Sequence, residues 1–516
     1  MAEVTCIACG SPSVIKKGID RNVKSTKQRY KCTDCGQAMS VLVSIDSDII
    51  INDYMDMALY RKDAKRTYVI TSAVNDTEVN LNFVKTLELY CTHNDAQLLV
   101  IPIKYHRGKL LEETKLVWDE HISKYLYSSN EKLLPGLKVL GGLHVSPAIV
   151  NPLSGFEGFS KGDSVIIGHP QLMLKSVPVS HTDAAAILTT TGAVTVPIYT
   201  ETKQGEKAAF NHSFSALVVE EDSTCFHVRV LNSDESGEFY DLKQHYTPNG
   251  VDMTTSIPGI VLGDLHIEHL DPLVYDATYG DDGMISYLCP EKIVVEDVLD
   301  AYSISHHHQK SVFTQYAKYN SGKNKVLDEL HKTVSFMVEN TPQGSETIVV
   351  SSNHNSHLLK WLNECNPKVE PWNALEYHKL MVAMLERTEM GVSGAVYPNP
   401  FELWANIHYD CNNIQFLSGA ESFKIMDIEC AYHGDKGVSG SRGSIKQFSE
   451  LGSKTITGHS HQAGILRGAY AVGHSCYSKL EYNLGAPSAW TQAHCLIQPN
   501  GKRQLIFING GEWHRK

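Results

Sequence analysis

Short apolar runs separated by amphipathic stretches fill the first half of the chain, and this pattern is typical of an α/β protein. Residues 68–74 and 97–103 are apolar runs that predict buried strands, and residues 80–93 have the spacing of an amphipathic helix. Together they predict a strand-helix-strand unit. Further strands are predicted at residues 139–140, 164–168, 186–190, 215–220 and 225–231, the last two as a hairpin.

In the second half of the chain, polar residues with metal-ligand chemistry directly follow the predicted strands. The run from Val261 to Ile267 contains Gly263, Asp264 and His266. Side chains alternate in direction along a strand, so Asp264 and His266 share a face. A carboxylate and an imidazole on one face can hold a divalent cation. We therefore expect a metal site where this strand ends.

Four later segments have the same arrangement and look able to complete the site. In each, a strand-like apolar run leads into carboxylate, amide or imidazole side chains. In chain order these polar residues are Glu296, Asp297 and Asp300, then Asn353 and His354, then His433, and finally His459 and His461. Helices are predicted between the segments at residues 323–338 and 375–387, and Asn500-Gly501 between two apolar runs predicts a closing hairpin.

The five segments read Gly-Asp-x-His, Glu-Asp-x-x-Asp, Ser-Asn-His, His-Gly and Gly-His-x-His. This series, over residues 258–495, resembles the calcineurin-like metallophosphoesterase family. The usual pattern of that family is Gly-Asp-x-His, Gly-Asp-x-x-Asp, Gly-Asn-His, His and Gly-His-x-His. Glu296 and Ser352 stand where the family usually has Gly, so the register of Asp297 rests on Asp300 and the preceding apolar run. The resemblance implies an α/β (α+β) fold, in which two sheets pack face to face with helices outside.

The resemblance also implies roles for eight residues. The first metal ion would be held by Asp264, His266, Asp297 and His461, and the second by Asp297, Asn353, His433 and His459, so that Asp297 bridges the pair. His354 resembles the catalytic histidine of the family, which protonates the leaving oxygen or stabilises the transition state. Mixed oxygen and nitrogen ligands suit Mn, Fe or Zn. A nuclease of this kind favours manganese, and Mg, Fe and Zn remain open.

Two Cys-x-x-Cys pairs begin the chain, at Cys6 and Cys9 and at Cys32 and Cys35. Four thiolates in two such pairs predict a tetrahedral structural zinc site, and they resemble a small zinc ribbon. The basic residues near them are Lys16, Lys17, Arg21, Lys24, Lys27, Arg29 and Lys31. Seven basic and three acidic residues give the first 40 positions a charge of +4, on a chain whose total is −12. This patch predicts contact with nucleic-acid phosphates; the alternative is a ribbon that only folds the N-terminus or mediates self-association.

Length and composition set the remaining expectations. A chain of 516 residues exceeds what one hydrophobic core usually serves, so two or three domains are expected. Its 42% apolar and 20% charged residues are typical of a soluble protein. We find no apolar run of about 18 residues and no charged-then-apolar leader, which predicts a cytoplasmic protein without a membrane anchor. Most of the 12 cysteines are scattered singly, as expected for reduced thiols.

The predicted organisation has four parts. They are a zinc ribbon at residues 1–40, a connector with a helical portion at 41–66, an accessory α/β domain at 67–255 and a calcineurin-like domain at 256–516. We assign no role to the run His306-His307-His308, and the function of the accessory domain is not predicted.

The expected function is that of a metal-dependent DNA phosphodiesterase, a nuclease with a two-metal mechanism. The order of the parts also resembles the pre-early host-DNA-degradation proteins of certain tailed phages, which implies action on host DNA in the host cytoplasm. One alternative is a protein phosphatase or small-nucleotide phosphodiesterase. Another is an inactive zinc-ribbon adaptor or DNA-binding protein. Endonuclease or exonuclease action, strand and sequence preference, oligomeric state and native metal stay open.

Overall fold

The computed structural model describes residues 6, 9, 11–22, 25–45, 66–105, 116–179, 185–222, 225–392, 394–419 and 421–514. Near the N-terminus, a small antiparallel sheet has the order β1-β2-β3. Its strands are β1 (Val14–Asn22), β2 (Ser25–Cys32) and β3 (Ala38–Ile45). The first residues of the predicted connector therefore belong to β3, and residues 46–65, with the predicted helical portion, lie outside the described residues.

The predicted strand-helix-strand unit is present, and its two strands are parallel. The elements from this unit to residue 253 are β4 (Thr67–Val74), α1 (Leu81–His93), β5 (Ala96–Ile103), β6 (Asn130–Leu134), β7 (Leu137–Leu140), α2 (Glu157–Ser160), β8 (Ser164–Ile167), β9 (Met173–Val177), β10 (Ala186–Thr190), α3 (Lys203–Phe210), β11 (Ser215–Glu221), β12 (Phe226–Asn232), β13 (Phe239–Asp241), β14 (Gln244–Thr247) and β15 (Gly250–Met253). The side chain of Asn80 accepts a hydrogen bond from the Phe83 amide, which satisfies one free donor at the start of α1.

Strands and helices also alternate in the second half of the chain. They are β16 (Ile257–Val261), α4 (Pro272–Tyr279), α5 (Met284–Leu288), β17 (Pro290–Val295), α6 (Val312–Ser321), α7 (Val326–Asn340), β18 (Glu346–Val349), α8 (His357–Glu364), α9 (Ala374–Glu386), β19 (Glu389–Gly391), β20 (Gly394–Val396), α10 (Pro400–His408), β21 (Ile414–Phe416), β22 (Lys424–Ile425), β23 (Ile428–Glu429), α11 (Ile445–Phe448), β24 (Lys454–Thr457), β25 (Gly464–Leu466), β26 (Ala469–Ala471), β27 (Ala493–Ile497) and β28 (Arg503–Phe507). The predicted helices correspond to α7 and α9, and the predicted hairpin to β27 and β28.

A six-stranded sheet with the order β21-β18-β17-β16-β27-β28 forms the centre of the second half. Strands β16, β17, β18 and β21 are parallel, and β27 pairs antiparallel with β16. Side-chain alternation divides the apolar residues between the two faces. Ile260 and Ile293 pack in the core shared with the flanking helices, whereas Val261 and Val294 pack in the core shared with the other sheets.

The second large sheet combines strands from both halves of the chain. Its order is β22-β23-β24-β26-β25-β9-β10-β8-β7-β6. The junction is the antiparallel pairing of β25 with β9, in which Gly464 lies opposite Lys175. The segment predicted to be a separate accessory domain thus shares a sheet with the segment that carries His433 and His459. The predicted boundary at residues 255 and 256 separates two stretches of chain that fold against each other.

A four-stranded sheet, β12-β11-β4-β5, packs against the same core and is tied to β28 by a buried polar network. Arg229 on β12 donates from Nε to Asp241 Oδ1 at 2.8 Å and from Nη2 to Asp241 Oδ2 at 2.9 Å. Asp241 also accepts from the Tyr90 hydroxyl at 2.8 Å and from Gln504 Nε2 on β28 at 3.2 Å. The buried carboxylate is therefore fully paired, as burial of a charge requires. None of the described helices is long and apolar enough to cross a membrane.

Candidate metal centre

The polar residues predicted to bind metal meet at the carboxyl ends of five strands. Asp264 follows β16, Asp297 follows β17 and Asn353 follows β18. Because these strands are parallel neighbours, their carboxyl ends lie at one edge of the sheet. In the second large sheet, β23 and β24 are also parallel neighbours, and they lead into His433 and His459. The two edges face each other, which brings all seven predicted ligands together.

The first group consists of Asp264, His266 and His461, all buried. His266 Nε2 lies 3.1 Å from His461 Nε2, and His461 Nε2 lies 3.0 Å from Asp264 Oδ2. Asp297 Oδ2 lies 3.9 Å from His266 Nε2, at the side of this group. One carboxylate and two imidazoles with nitrogens this close form a donor set that can hold one divalent cation.

The second group consists of Asp297, His433 and His459, with Asn353 beside them. His433 Nε2 lies 3.1 Å from Asp297 Oδ2 and 3.0 Å from Asn353 Oδ1. Asp297 therefore has its Oδ2 atom between the two groups, near an imidazole nitrogen of each. This is the place that a bridging carboxylate would occupy.

Buried oxygen atoms without partners show that the site fits cations. Among the described residues, Asp297 Oδ1 and Glu296 Oε1 are buried and accept no hydrogen bond. An unpaired carboxylate oxygen in a protein interior is unfavourable unless a cation or a donor satisfies it. The oxygens and imidazole nitrogens that converge here are ligands that divalent transition-metal ions accept.

Four of the seven predicted ligands have an unusual backbone conformation. The φ angles are 45° at His266, 44° at Asp297, 64° at His459 and 56° at His461. Residues other than glycine seldom adopt this left-handed region, and each costs roughly 1–3 kcal/mol unless its surroundings hold it there. In this site, hydrogen bonds hold the backbone in that conformation. The His266 amide donates to the Asp297 carbonyl at 2.9 Å, and the His459 amide donates to Asp264 Oδ1 at 3.1 Å. Strain of this kind concentrates at functional sites.

Two carboxylates outside the predicted ligand set orient the imidazoles. Asp300 Oδ1 lies 3.1 Å from His266 Nδ1, and Glu296 Oε2 lies 2.9 Å from His433 Nδ1. A hydrogen bond at Nδ1 fixes the ring so that Nε2 faces the centre, and carboxylates commonly serve metal-binding histidines in this way. Gly458 leaves room for the carboxylates of Asp264 and Glu296, because a Cβ at position 458 would collide with both.

The sequence assigns Asp300 no settled role, and it marks Glu296 only as a departure from the usual glycine. The signal for Asp300 is its place in the Glu-Asp-x-x-Asp segment. For Glu296, nothing in the local sequence indicated that its carboxylate would reach His433, which lies on the other sheet. That contact depends on how the two sheets pack.

Opposite charges keep most of the buried carboxylates anionic. Burial, the largest influence, would raise the pKa of Asp297, but the nearby His433 and His354 hold it well below its usual value. Burial likewise opposes ionisation of Asp300, and His266 outweighs it, which lowers the Asp300 pKa to about 2. Glu296 is the exception, because burial exceeds the effect of His433 and raises its pKa to about 8. The site thus concentrates negative charge where cations would bind.

His354 lies at the rim of the site rather than inside it. Its Nδ1 is 3.1 Å from the Asp300 carbonyl oxygen, and its ring centroid is 4.8 Å from that of His266. Its side chain is 24% exposed, whereas that of His266 is 1% exposed. Since Nδ1 faces a carbonyl, Nε2 is the nitrogen left for a substrate.

The four N-terminal cysteines also form a cluster that can hold a metal ion, with sulfurs within 4.8 Å of one another. Cys6 Sγ lies 3.5 Å from Cys35 Sγ, and Cys9 Sγ lies 3.6 Å from Cys32 Sγ. Of the predicted nucleic-acid contacts, Lys31 is exposed. Lys24 lies outside the described residues, as do the side chains of Lys16, Lys17, Arg21, Lys27 and Arg29.

The described residues thus form a mixed α/β structure with clusters of side chains that can hold metal ions. No protein-family model matches the chain. It is 34% identical over 468 residues to Protein A1 of Escherichia phage T5, in an alignment that covers 88% of this chain and 83% of that protein. The chain therefore belongs to the same family as this phage protein. The calcineurin-like fold and the ligand roles stay predictions.

We expect Asp300→Asn to weaken binding of divalent cations about 10–100-fold, because the variant loses the anion that orients His266. Isothermal titration calorimetry with Mn²⁺ would measure this. Asp328→Asn is the matched control, since its carboxylate is 64% exposed and pairs only loosely with Lys325 at 3.9 Å. Equal affinity in the two variants would contradict an orienting role for Asp300.

Cys32→Ser should remove one metal ion per chain and destabilise only the N-terminal sheet, because a tetrahedral site loses one of four thiolates. Elemental analysis of the purified protein would measure the zinc content, with Cys289→Ser as the control because Cys289 is exposed and outside the cluster. An unchanged zinc content in Cys32→Ser would refute a four-cysteine site.

Proposed function

We propose that the chain is a metal-dependent DNA phosphodiesterase. The observation that carries the proposal is the convergence of two groups of ligands, joined by Asp297, with His354 at the rim. Hydrolysis of a phosphodiester requires a nucleophilic oxygen at neutral pH and positive charge near the phosphoryl oxygens. Two bound divalent ions roughly 3.5–4 Å apart supply both by Lewis-acid action.

In this proposal each residue of the site has a specific task. The first ion would be held by Asp264, His266, Asp297 and His461, and the second by Asp297, Asn353, His433 and His459. His354 would donate a proton from Nε2 to the leaving oxygen, because Nδ1 is directed at the Asp300 carbonyl. Asp300 would fix the orientation of both the His266 and the His354 ring, since its carboxylate contacts His266 and its carbonyl oxygen contacts His354. We propose manganese for this pair and zinc for the cysteine cluster.

An exposed aromatic stripe on α6, the helix that follows the loop carrying Asp300, supports a polynucleotide substrate. Phe313, Tyr316 and Tyr319 recur every three residues on α6 and are 90%, 65% and 65% exposed. The helix is anchored to the loop that carries Asp300, because Lys318 Nζ donates to the Tyr302 carbonyl oxygen. Aromatic rings on a surface are stacking platforms for unpaired bases, worth roughly 1–3 kcal/mol per base.

The phage relative supports the biological setting of the proposal. Protein A1 is a phage protein, and a phage-encoded nuclease would meet host DNA in the cytoplasm of the infected cell. We therefore propose degradation of host DNA as the role. The basic residues of the N-terminal ribbon would add contacts to phosphates of the same substrate.

The purified protein should cleave duplex DNA only when Mn²⁺ is added. Closed circular and linear DNA, each with and without Mn²⁺, would be followed by gel electrophoresis. Nicking of the circle indicates an endonuclease, and loss of the linear form alone indicates an exonuclease. Intact DNA together with turnover of a phosphopeptide or cyclic nucleotide would overturn the proposal in favour of a phosphatase or small-nucleotide esterase.

Variants separate this site from a contaminating nuclease. Asp264→Ala and His459→Ala should each abolish cleavage, because each removes a ligand, while Asp328→Asn should retain it. Thermal unfolding would establish that the inactive variants are folded. Full activity of either ligand variant would refute the two-metal assignment.

Replacing residues of the aromatic stripe should weaken the hydrolysis of DNA more than that of a small substrate. We expect Phe313→Ala and Tyr316→Ala to raise KM for single-stranded DNA several-fold, because each removes a stacking surface. The kinetics of a small phosphodiester such as bis-p-nitrophenyl phosphate should stay unchanged. Leu375→Ala is a control, since Leu375 is 69% exposed on a different helix. Equal losses on both substrates would show that the stripe supports the fold rather than binding bases.

A further inference from the structure

A second group of imidazoles lies beside His354 and belongs to neither predicted metal position. It consists of His306 and His307, in the loop between β17 and α6, and His357, the first residue of α8. One ring nitrogen of each lies within 4.8 Å of those of the other two. The ring centroid of His306 is 3.8 Å from that of His307 and 5.0 Å from that of His357. His308 is outside the group, because its ring packs against Tyr302 at 5.1 Å.

Two ring nitrogens of this group lack hydrogen-bond partners within the described structure. His306 Nδ1 and His357 Nδ1 are buried there without a hydrogen bond. A buried polar atom without a partner is unfavourable by roughly 1–3 kcal/mol, so a ligand is expected to satisfy it. A metal ion that accepts lone pairs from the imidazoles would satisfy these atoms.

The protonation state of the group favours a metal ion over an anion. Burial, with repulsion from His354, lowers the pKa of His357 to about 4, and burial likewise lowers the pKa of His306. Both shifts favour the neutral form of these two rings. Neutral imidazole is the form that binds metals, whereas the protonated form attracts a phosphate more strongly.

We propose that His306, His307 and His357 bind a third ion, of the Zn²⁺ class, separate from the pair held around Asp297. Three nitrogen ligands select borderline transition metals over Mg²⁺ and Ca²⁺, which require oxygen ligands. Zn–N bonds of about 2.0–2.1 Å place tetrahedral ligand nitrogens roughly 3.3 Å apart. The three ring nitrogens lie within 4.8 Å of one another, so rotation of the imidazoles would bring them to the distance that a bound ion requires. Three protein ligands leave a fourth position open, as in catalytic rather than structural zinc sites.

The position of the group connects it to the candidate active site. The ring centroid of His357 is 5.1 Å from that of His354, and that of His354 is 4.8 Å from that of His266. His307 is exposed, so an ion held by this group would be accessible from solvent. An oxygen of a bound phosphate or a water molecule fits that position.

Zinc stoichiometry tests the proposal without any assay of catalysis. The full-length protein would be stripped of metal, dialysed against Zn²⁺, freed of excess ion and measured by elemental analysis. His307→Ala should bind one zinc ion fewer per chain than the unchanged protein, and Asp264→Ala with His307→Ala should lose more than Asp264→Ala alone. His378→Ala is the matched control, because His378 is also exposed and contacts only the Tyr377 ring among the described partners.

The outcomes distinguish a separate third site from its alternatives. Equal zinc content in His307→Ala and the unchanged protein would overturn the proposal, and so would a loss no greater in the double variant than in Asp264→Ala. An equal loss in His378→Ala would indicate general surface binding and would also overturn it. Since unfolding could mimic a lost site, each variant is checked by thermal unfolding, and His306→Gln serves as a second variant with the same expected loss. These results do not depend on DNA being the substrate.

Discussion

The parallel pairing of β16, β17 and β18 is the constraint on which the site depends. In this arrangement the chain turns away from the sheet three times at the same edge, and each turn supplies an oxygen ligand. Two backbone hydrogen bonds, from Leu265 to Glu296 and from His266 to Asp297, continue the pairing beyond the strands. The left-handed conformations at His266 and Asp297 are held by this extension, so the ligand geometry is built into the backbone.

The second constraint is the accumulation of negative charge in a buried place. Asp264, Asp297 and Asp300 are almost fully buried, and each is kept anionic by neighbouring imidazoles. A protein interior tolerates such a group of charges only when positive partners are available. The same electrostatic balance that would bind cations therefore also restrains the fold around the site.

Much of the site could be predicted from the sequence because its ligands follow strands directly. Asp264 and His266 are two residues apart just beyond β16, and His459 and His461 are likewise close beyond β24, so each pair stays at the edge where its strand ends. Contacts between distant segments could not be predicted in this way. The bond from Glu296 to His433 and the meeting of His306 with His357 depend on packing between elements, which short-range patterns do not encode. For the same reason the sequence indicated β8 and β10 but neither β9 nor the sheet that these strands join.

The mixed composition of the ten-stranded sheet has a consequence for how the protein is made. Strand β9 finds its partner β25 only after nearly three hundred further residues have left the ribosome. Contacts of such long sequence separation form slowly and late. Strands β23 and β24, which lead into His433 and His459, belong to the same sheet and are also synthesised late. A nascent chain should therefore remain without a finished candidate metal centre until synthesis is almost complete.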